Sequence, residues 1–202
     1  MKIDLVKVIP SFSAKSGRLD IVDVPPLRYL AVDAEGNPNT SENFREAVEA
    51  IYPMAYALKF GSKVVLDRDY GVPPMEALWW ADDMAAFSES KKDHWHSTVL
   101  VMLPDWITDE AVAVARKKAG SKVPPEQLGR VYVANLHEGV CAQTLYVGPY
   151  ADEAPTIEAL HRLIEERGMV RSGKHHEIYL GDPRRTAPEK LRTIIRQPAR
   201  PA

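Results

Sequence analysis

Apolar and polar residues alternate over 20–24 and 27–33, the period-2 pattern of half-buried strands. Asp33 to Thr40 is a loop by its Gly, Asn and Pro content. Thr40 or Ser41 caps a following helix, on which Phe44, Ala47, Val48 and Ile51 recur at helical spacing. Pro53 is expected to kink or restart that helix, which Met54 to Phe60 continues. Lys63 to Leu66 reads as a short strand, and Met75 to Trp80 as another after the Tyr70-Gly-Val-Pro-Pro turn. A polar connection over 81–93 leads to a β-rich run, Trp95 to Leu103, and Thr108 caps a helix that Gly120 ends. Ser121 to Gly129, with its double proline, reads as a linker. Strands are predicted at about 130–137 and 140–148, joined at Glu138-Gly139. Gly148-Pro149-Tyr150 is the elbow into a helix with Ile157, Leu160 and Ile164 on one face, which Gly168 terminates. Lys174 to Leu180 is a strand. The tail reads as one short helix, about Pro188 to Ile195, and residues 1–19 as a polar, irregular arm crossing the surface.

The order of elements repeats. One copy runs from Ile21 to Trp80 and the other from Arg130 to Leu180, and each reads strand, turn, strand, elbow, helix, strand. The chain is therefore expected to be one domain over 1–202, made of halves at approximately 20–120 and 130–200. Halves related by a pseudo-twofold can form a groove between them, and Glu76 and Glu177 are then expected to be pseudo-equivalent.

Composition narrows the function classes. Among 202 residues, 26 basic and 28 acidic side chains are well mixed, for a net charge of −2. No basic stripe points to nucleic acid. No stretch approaches a membrane span, and the N-terminus lacks the apolar core of a signal peptide. The single Cys141 excludes an internal disulfide and a Cys-based zinc site, and fits a cytoplasmic setting.

The candidate chemistry is a carboxylate among rings. On the last predicted strand His175, Glu177 and Tyr179 share a face. A Glu177 carboxylate buried in a groove would have its pKa raised by desolvation, suiting a general base or a counter-charge; left at an edge, it would pair with Lys174 or Arg184. Glu76, Leu78 and Trp80 share one face of the earlier strand, with Ala77 and Trp79 on the other. One tryptophan can line a groove while the other fills the core, or both can be core anchors. Tyr146 and Tyr150 flank the elbow, where a ring can stack on a ligand or hydrogen-bond nearby backbone. Glu153 is a second carboxylate at the groove mouth, or an acid that complements the helix dipole. His94, His96, His175 and His176 lack metal-ligand spacing with a carboxylate, so no metal is expected. With no Gly-x-Gly-x-x-Gly, P-loop or Gly-x-Ser-x-Gly, no cofactor is expected either.

Three motifs carry a family resemblance: Glu-Ala-Leu-Trp-Trp-Ala-Asp-Asp (76–83), Val-Gly-Pro-Tyr (147–150) and His-His-Glu-Ile-Tyr-Leu-Gly-Asp-Pro-Arg-Arg-Thr-Ala-Pro-Glu-Lys-Leu (175–191). Together they resemble the stand-alone branch of the GyrI-like small-molecule-binding domain family, over nearly the whole chain. The resemblance implies an α+β fold of two pseudo-symmetric β-α-β-β modules, forming one antiparallel sheet with a ligand groove at the pseudo-twofold. It implies a planar aromatic or lipophilic cationic small molecule as partner, with the acid at the Glu177 position facing it. Some stand-alone relatives are hydrolases that open the cyclopropane of DNA-alkylating compounds. On that reading Glu177, helped by Glu153, activates water, while Trp80, Glu76, Tyr146, Tyr150, Tyr179 and His175 line the site. On the alternative reading the groove only binds or sequesters. No helix-turn-helix signal precedes residue 20, so no nucleic-acid binding is expected. Tyr146 departs from the family pattern, where relatives often carry His.

Overall fold

The computed structural model describes residues 2–81 and 92–202. Of the polar connection expected over 81–93, residues 82–91 lie outside the described residues. The strands are β1 (Asp20–Val24), β2 (Leu27–Glu35), β3 (Met75–Trp80), β4 (His96–Leu103), β5 (Tyr132–Leu136), β6 (Gly139–Val147), β7 (Met169–Arg171), β8 (His175–Tyr179) and β9 (Arg192–Pro201). The α-helices among the described residues are α1 (Leu5–Val8), α2 (Glu42–Val65), α3 (Asp109–Ala119), α4 (Pro125–Gly129) and α5 (Ala154–Glu166). All strand pairs are antiparallel, in the order β1-β6-β9-β8-β3-β4-β2-β5, with β7 on β9. The fold is α+β.

The sheet cannot be flat. Only Pro25 and Pro26 separate β1 from β2, a span of at most about 11 Å. In a flat sheet of this order the two strands would lie six spacings, about 29 Å, apart. The registers show how the ends meet. In both the β1–β6 and β2–β5 pairs the partner numbers add to 163 (Asp20 with Gln143, Leu27 with Leu136). Residues 20–31 and 132–143 are thus one continuous two-stranded ribbon, bent where Pro25-Pro26 crosses His137-Glu138, and the bend closes the sheet into a ring.

The ring has an internal twofold. Adding 112 to β1 and β2 gives β5 and β6; adding 100 to 75–80 gives 175–180 at β8; adding 96 to 96–103 gives 192–199 in β9. Each half is therefore strand-strand-helix-strand-strand, and its first strand is exchanged onto the other half. The axis passes through the Ala77–Glu177 pair. It mates Glu76 with His176, Ala77 with Glu177 and Trp79 with Tyr179. The expected equivalence of Glu76 and Glu177 does not hold, because neighbouring register positions face opposite sides of a pleated sheet.

Both long helices lie on the outer face, α2 on β2 and β4, α5 on β6, β7 and β9, so the central β3–β8 pair runs between them. Ser41 caps α2 by accepting from the Phe44 amide, and Thr108 caps α3 through the Ala111 amide. Under α2 the apolar cluster includes Leu30, Val32, Ile51, Met54, Val99 and Val101; under α5 it is Ala142, Leu160, Ile164 and Ile195.

Four expectations are corrected. The helix does not restart at Pro53, and no strand begins at Lys63: α2 runs unbroken to Val65. Its buried face, Ala47, Ile51, Met54, Leu58 and Ser62, keeps helical spacing throughout. The N-terminal arm is no surface crossing, since Leu5 and Phe12 are buried in the main core. The tail is not a helix. After one 3-10 turn (Pro188–Lys190) it forms β9, held between β6 and β8. Residues 193–199 of β9 are buried on both faces, which removes the alternation that would reveal a strand.

Candidate functional site on the outer face

Strand β8 sits between β3 and β9, and its pleat sends His175, Glu177 and Tyr179 to the outer face with Ala77 and Trp79 of β3. Ala77, directly across from Glu177, is the smallest neighbour available there. A relay forms across the two strands. Trp79 Nε1–H donates to Tyr179 Oη at 3.0 Å, and the Tyr179 hydroxyl donates to Glu177 Oε2 at 2.6 Å. His175 Nε2 lies 3.1 Å from the other carboxylate oxygen. Trp79 stacks on Phe44 of α2 with centroids 5.6 Å apart and meets Trp95 edge-on at 5.7 Å. Tyr150, at the entrance to α5, meets Tyr179 edge-on at 5.5 Å and is one of the more exposed rings.

The Glu177 side chain keeps 14% of its surface exposed. Burial pulls its pKa upward, but the hydrogen bonds from His175 and Tyr179 outweigh this and hold it below the ordinary carboxylate range. The direction is opposite to the one expected from desolvation alone, and the group is ionised at neutral pH. Burial and the Glu177 charge push the Tyr179 phenol well above 10, so it remains a donor. Burial and then the Glu153 charge bring Tyr150 up to about 12. Glu153 itself is buried, at the N-terminal end of α5 beyond the 3-10 turn Tyr150–Asp152. Its charge also reaches Tyr146 and Tyr179. Tyr146 folds back and donates to the Pro149 carbonyl at 2.9 Å. A Cβ on Gly148, whose φ is +152°, would stand 2.5 Å from the Tyr146 hydroxyl oxygen. The Gly-Pro-Tyr elbow needs its glycine for that reason.

The structure thus brings together Glu177, Glu153, His175, Tyr146, Tyr150 and Tyr179. It does not bring Glu76 or Trp80 to them, because both project into the ring from the opposite face of β3. There Trp80 stacks on His96 at 5.6 Å. Glu76 is fully buried, 3.0 Å from His176 Nε2 and 3.3 Å from the Tyr29 hydroxyl. The network continues across the ring. His176 Nδ1 meets Glu138 Oε1 at 2.9 Å, and Arg196 Nη1 donates to Glu138 Oε2 at 2.8 Å. Arg196 also donates to Gln143 Oε1 and the Ser11 carbonyl. Burial would lower the His176 pKa, but the Glu138 and Glu76 carboxylates raise it to about 9. Burial would raise Glu138, but His176 and Arg196 bring it down to about 2. The Glu138 carboxylate therefore lies between an imidazolium and a guanidinium, with Glu76 on the far side of the imidazole. This quartet clamps the crossing ribbon to the central strands.

Sequence reasoning missed Trp79, Glu138 and Arg196. Trp79 follows from the alternation only once the β3–β8 register is known. Arg196 lies in a stretch with no legible period. Among the described residues no group of three or more His, Cys, Asp or Glu side chains is arranged to hold a metal ion. No helix among them is long and apolar enough to cross a membrane.

No curated protein matches the chain. A conserved protein from Listeria innocua of known crystal structure is 36% identical, superposes with a TM-score of 0.89, and is matched over 98% of this chain and all of its own. A second Listeria innocua protein, named a hydrolase, is 35% identical with a TM-score of 0.85 over the same shares. The EcmrR C-terminal domain shares the fold alone, at 10% identity and a TM-score of 0.59 over 92% of this chain and 98% of that one. The profile of the GyrI-like small molecule binding domain matches residues 19–200, and the chain belongs to that family.

Proposed function

We propose that this protein, acting in the cytoplasm, binds flat lipophilic aromatic small molecules on the outer face between α2 and α5, preferring cations. The observation that carries the reading is Glu177: an ionised carboxylate largely out of water, between Trp79, Tyr179 and Tyr150. Such a group is complemented by a ligand cation, and the rings add cation–π attraction of about 0.5–2 kcal/mol each. His175 positions the carboxylate from the other side. Tyr146 and Glu153 shape the mouth. Quenching of tryptophan fluorescence by planar dyes tests this, because Trp79 is in the site. Saturable quenching is expected to be stronger for a cationic dye than for its neutral analogue, and equal quenching by both would remove the carboxylate from recognition.

Hydrolysis of a cyclopropane-bearing alkylator is a second reading. It is favoured by the hydrolase names of two Listeria innocua proteins, 35% and 34% identical over whole chains. Glu177 would take a proton from a water whose oxygen bonds to a ring carbon. The strained C–C bond would break, its electron pair passing into the conjugated carbonyl, which takes up a proton from solvent. Glu153 would assist at the mouth. A carboxylate held below its ordinary pKa range is a weak base, so binding is the reading the geometry supports better. Incubation with such a compound and mass spectrometry decides. A product heavier by one water, absent with Glu177→Gln, would establish turnover, and unchanged compound would leave a binding or sequestering module.

A further inference from the structure

The inner side of the sheet ring has two ends that the pseudo-twofold makes equivalent, yet the chain treats them differently. At one end its own N-terminal segment covers the framework. Ile3 bridges to Tyr70 and Ser16 to Leu145, and the Phe12 ring centroid lies 5.8 Å from the Arg196 guanidinium carbon. Adding 100 maps Leu78 onto Ile178 and Pro74 onto Lys174. At that second end, by Leu78 and Lys174, a cleft of about 360 Å³ opens, lined also by Leu136, His137, Glu138 and Pro198. Its volume lies in the range of about 300–1,000 Å³ usual for small-molecule sites.

We propose that this cleft is a second small-molecule site, on the opposite side of the sheet from Glu177, and that it takes an amphipathic organic carboxylate. The anion sits on Lys174 and the apolar body lies against Leu78, Leu136 and Pro198. The charge available to a ligand is positive. Glu138 lines the cleft, but its two oxygens are committed to His176 and Arg196. Lys174 Nζ stands 3.0 Å from the Trp80 ring centroid, and of its three N–H groups those turned away from the ring can meet an anion. Burial lowers the pKa of this amine and the nearby Asp33 charge raises it, and a carboxylate beside it would further favour the charged form. Gly173 and Pro198 pack closely in the wall: Gly173 has φ +61°, and a Cβ there would come within 3.2 Å of Pro198.

Octanoate, with octanol as its neutral counterpart, tests the proposal on the full chain. In a backbone-amide NMR titration of the unmodified protein, octanoate is expected to shift His137, Gly173 and Lys174, and octanol to do so more weakly. By calorimetry, Lys174→Met is expected to lose about ten-fold in octanoate affinity, and Leu136→Trp to block the cleft. The same Lys174→Met protein should still be quenched by a planar cation as the unmodified protein is, which keeps failure of this site distinct from failure of the Glu177 site. Shifts absent from these amides, or octanoate binding unchanged in Lys174→Met, would overturn the proposal.

Discussion

Beside the larger influence of His175, Tyr179 favours the charged form of Glu177 through one short hydrogen bond. Tyr179→Phe removes the donor that favours the charged form, so the Glu177 pKa should rise, and NMR titration of the side-chain carboxyl would reveal it. An unshifted carboxyl would mean that His175 alone holds it. The same change takes the acceptor from Trp79 Nε1 and should cost about 1–2 kcal/mol of stability. Gly148→Ala forces a Cβ against the Tyr146 hydroxyl. A loss of about 1–3 kcal/mol in thermal or urea unfolding is expected, and a neutral substitution would show that the elbow can relax. Alternation along residues 175–179 was enough to place His175, Glu177 and Tyr179 on one face. It could not choose between Trp79 and Trp80. That choice depends on how β3 is registered against β8, a strand a hundred residues away.

At the scale of elements, local chemistry was legible where it decides structure locally. The caps at Ser41 and Thr108, the strands on either side of Glu138 and the elbow at Gly148 all follow from short-range rules. The misread arm and tail share one physical cause, tertiary burial. β9 carries Arg196, Gln197 and Pro198 in its middle, a composition that reads as a tail. Neighbours on both faces and both edges make it a core strand. Arg196→Met tests that role. It leaves Glu138 buried against His176 alone and should destabilise by about 3–5 kcal/mol, read as a lower urea midpoint. A near-neutral effect would mean that water reaches the network.

The repeat was visible in the sequence, but the ring was not. Closure depends on the continuous 20–31/132–143 ribbon and on the quartet it carries inward, where an acid in the link between β5 and β6 meets a histidine in the central strand. This ties whole-molecule stability to pH. The folded pKa of His176 is raised from 6.5 to about 9, so its contribution is complete below 6.5 and is lost as pH climbs toward 9. Glu138 is lowered from 4.5 to about 2, so its contribution is complete above 4.5 and is lost as pH falls toward 2. Urea midpoints should peak between these windows, and a curve flat from pH 6 to 9.5 would show that His176 is neutral in the fold. The functional account rests on the charge of Glu177, and calorimetry of one planar cation and its neutral isostere, with the unmodified protein and Glu177→Gln side by side, tests it most directly. The account predicts that Glu177→Gln weakens the cation by about ten-fold or more and leaves the neutral ring nearly unchanged; equal losses for both, or none for either, would contradict it.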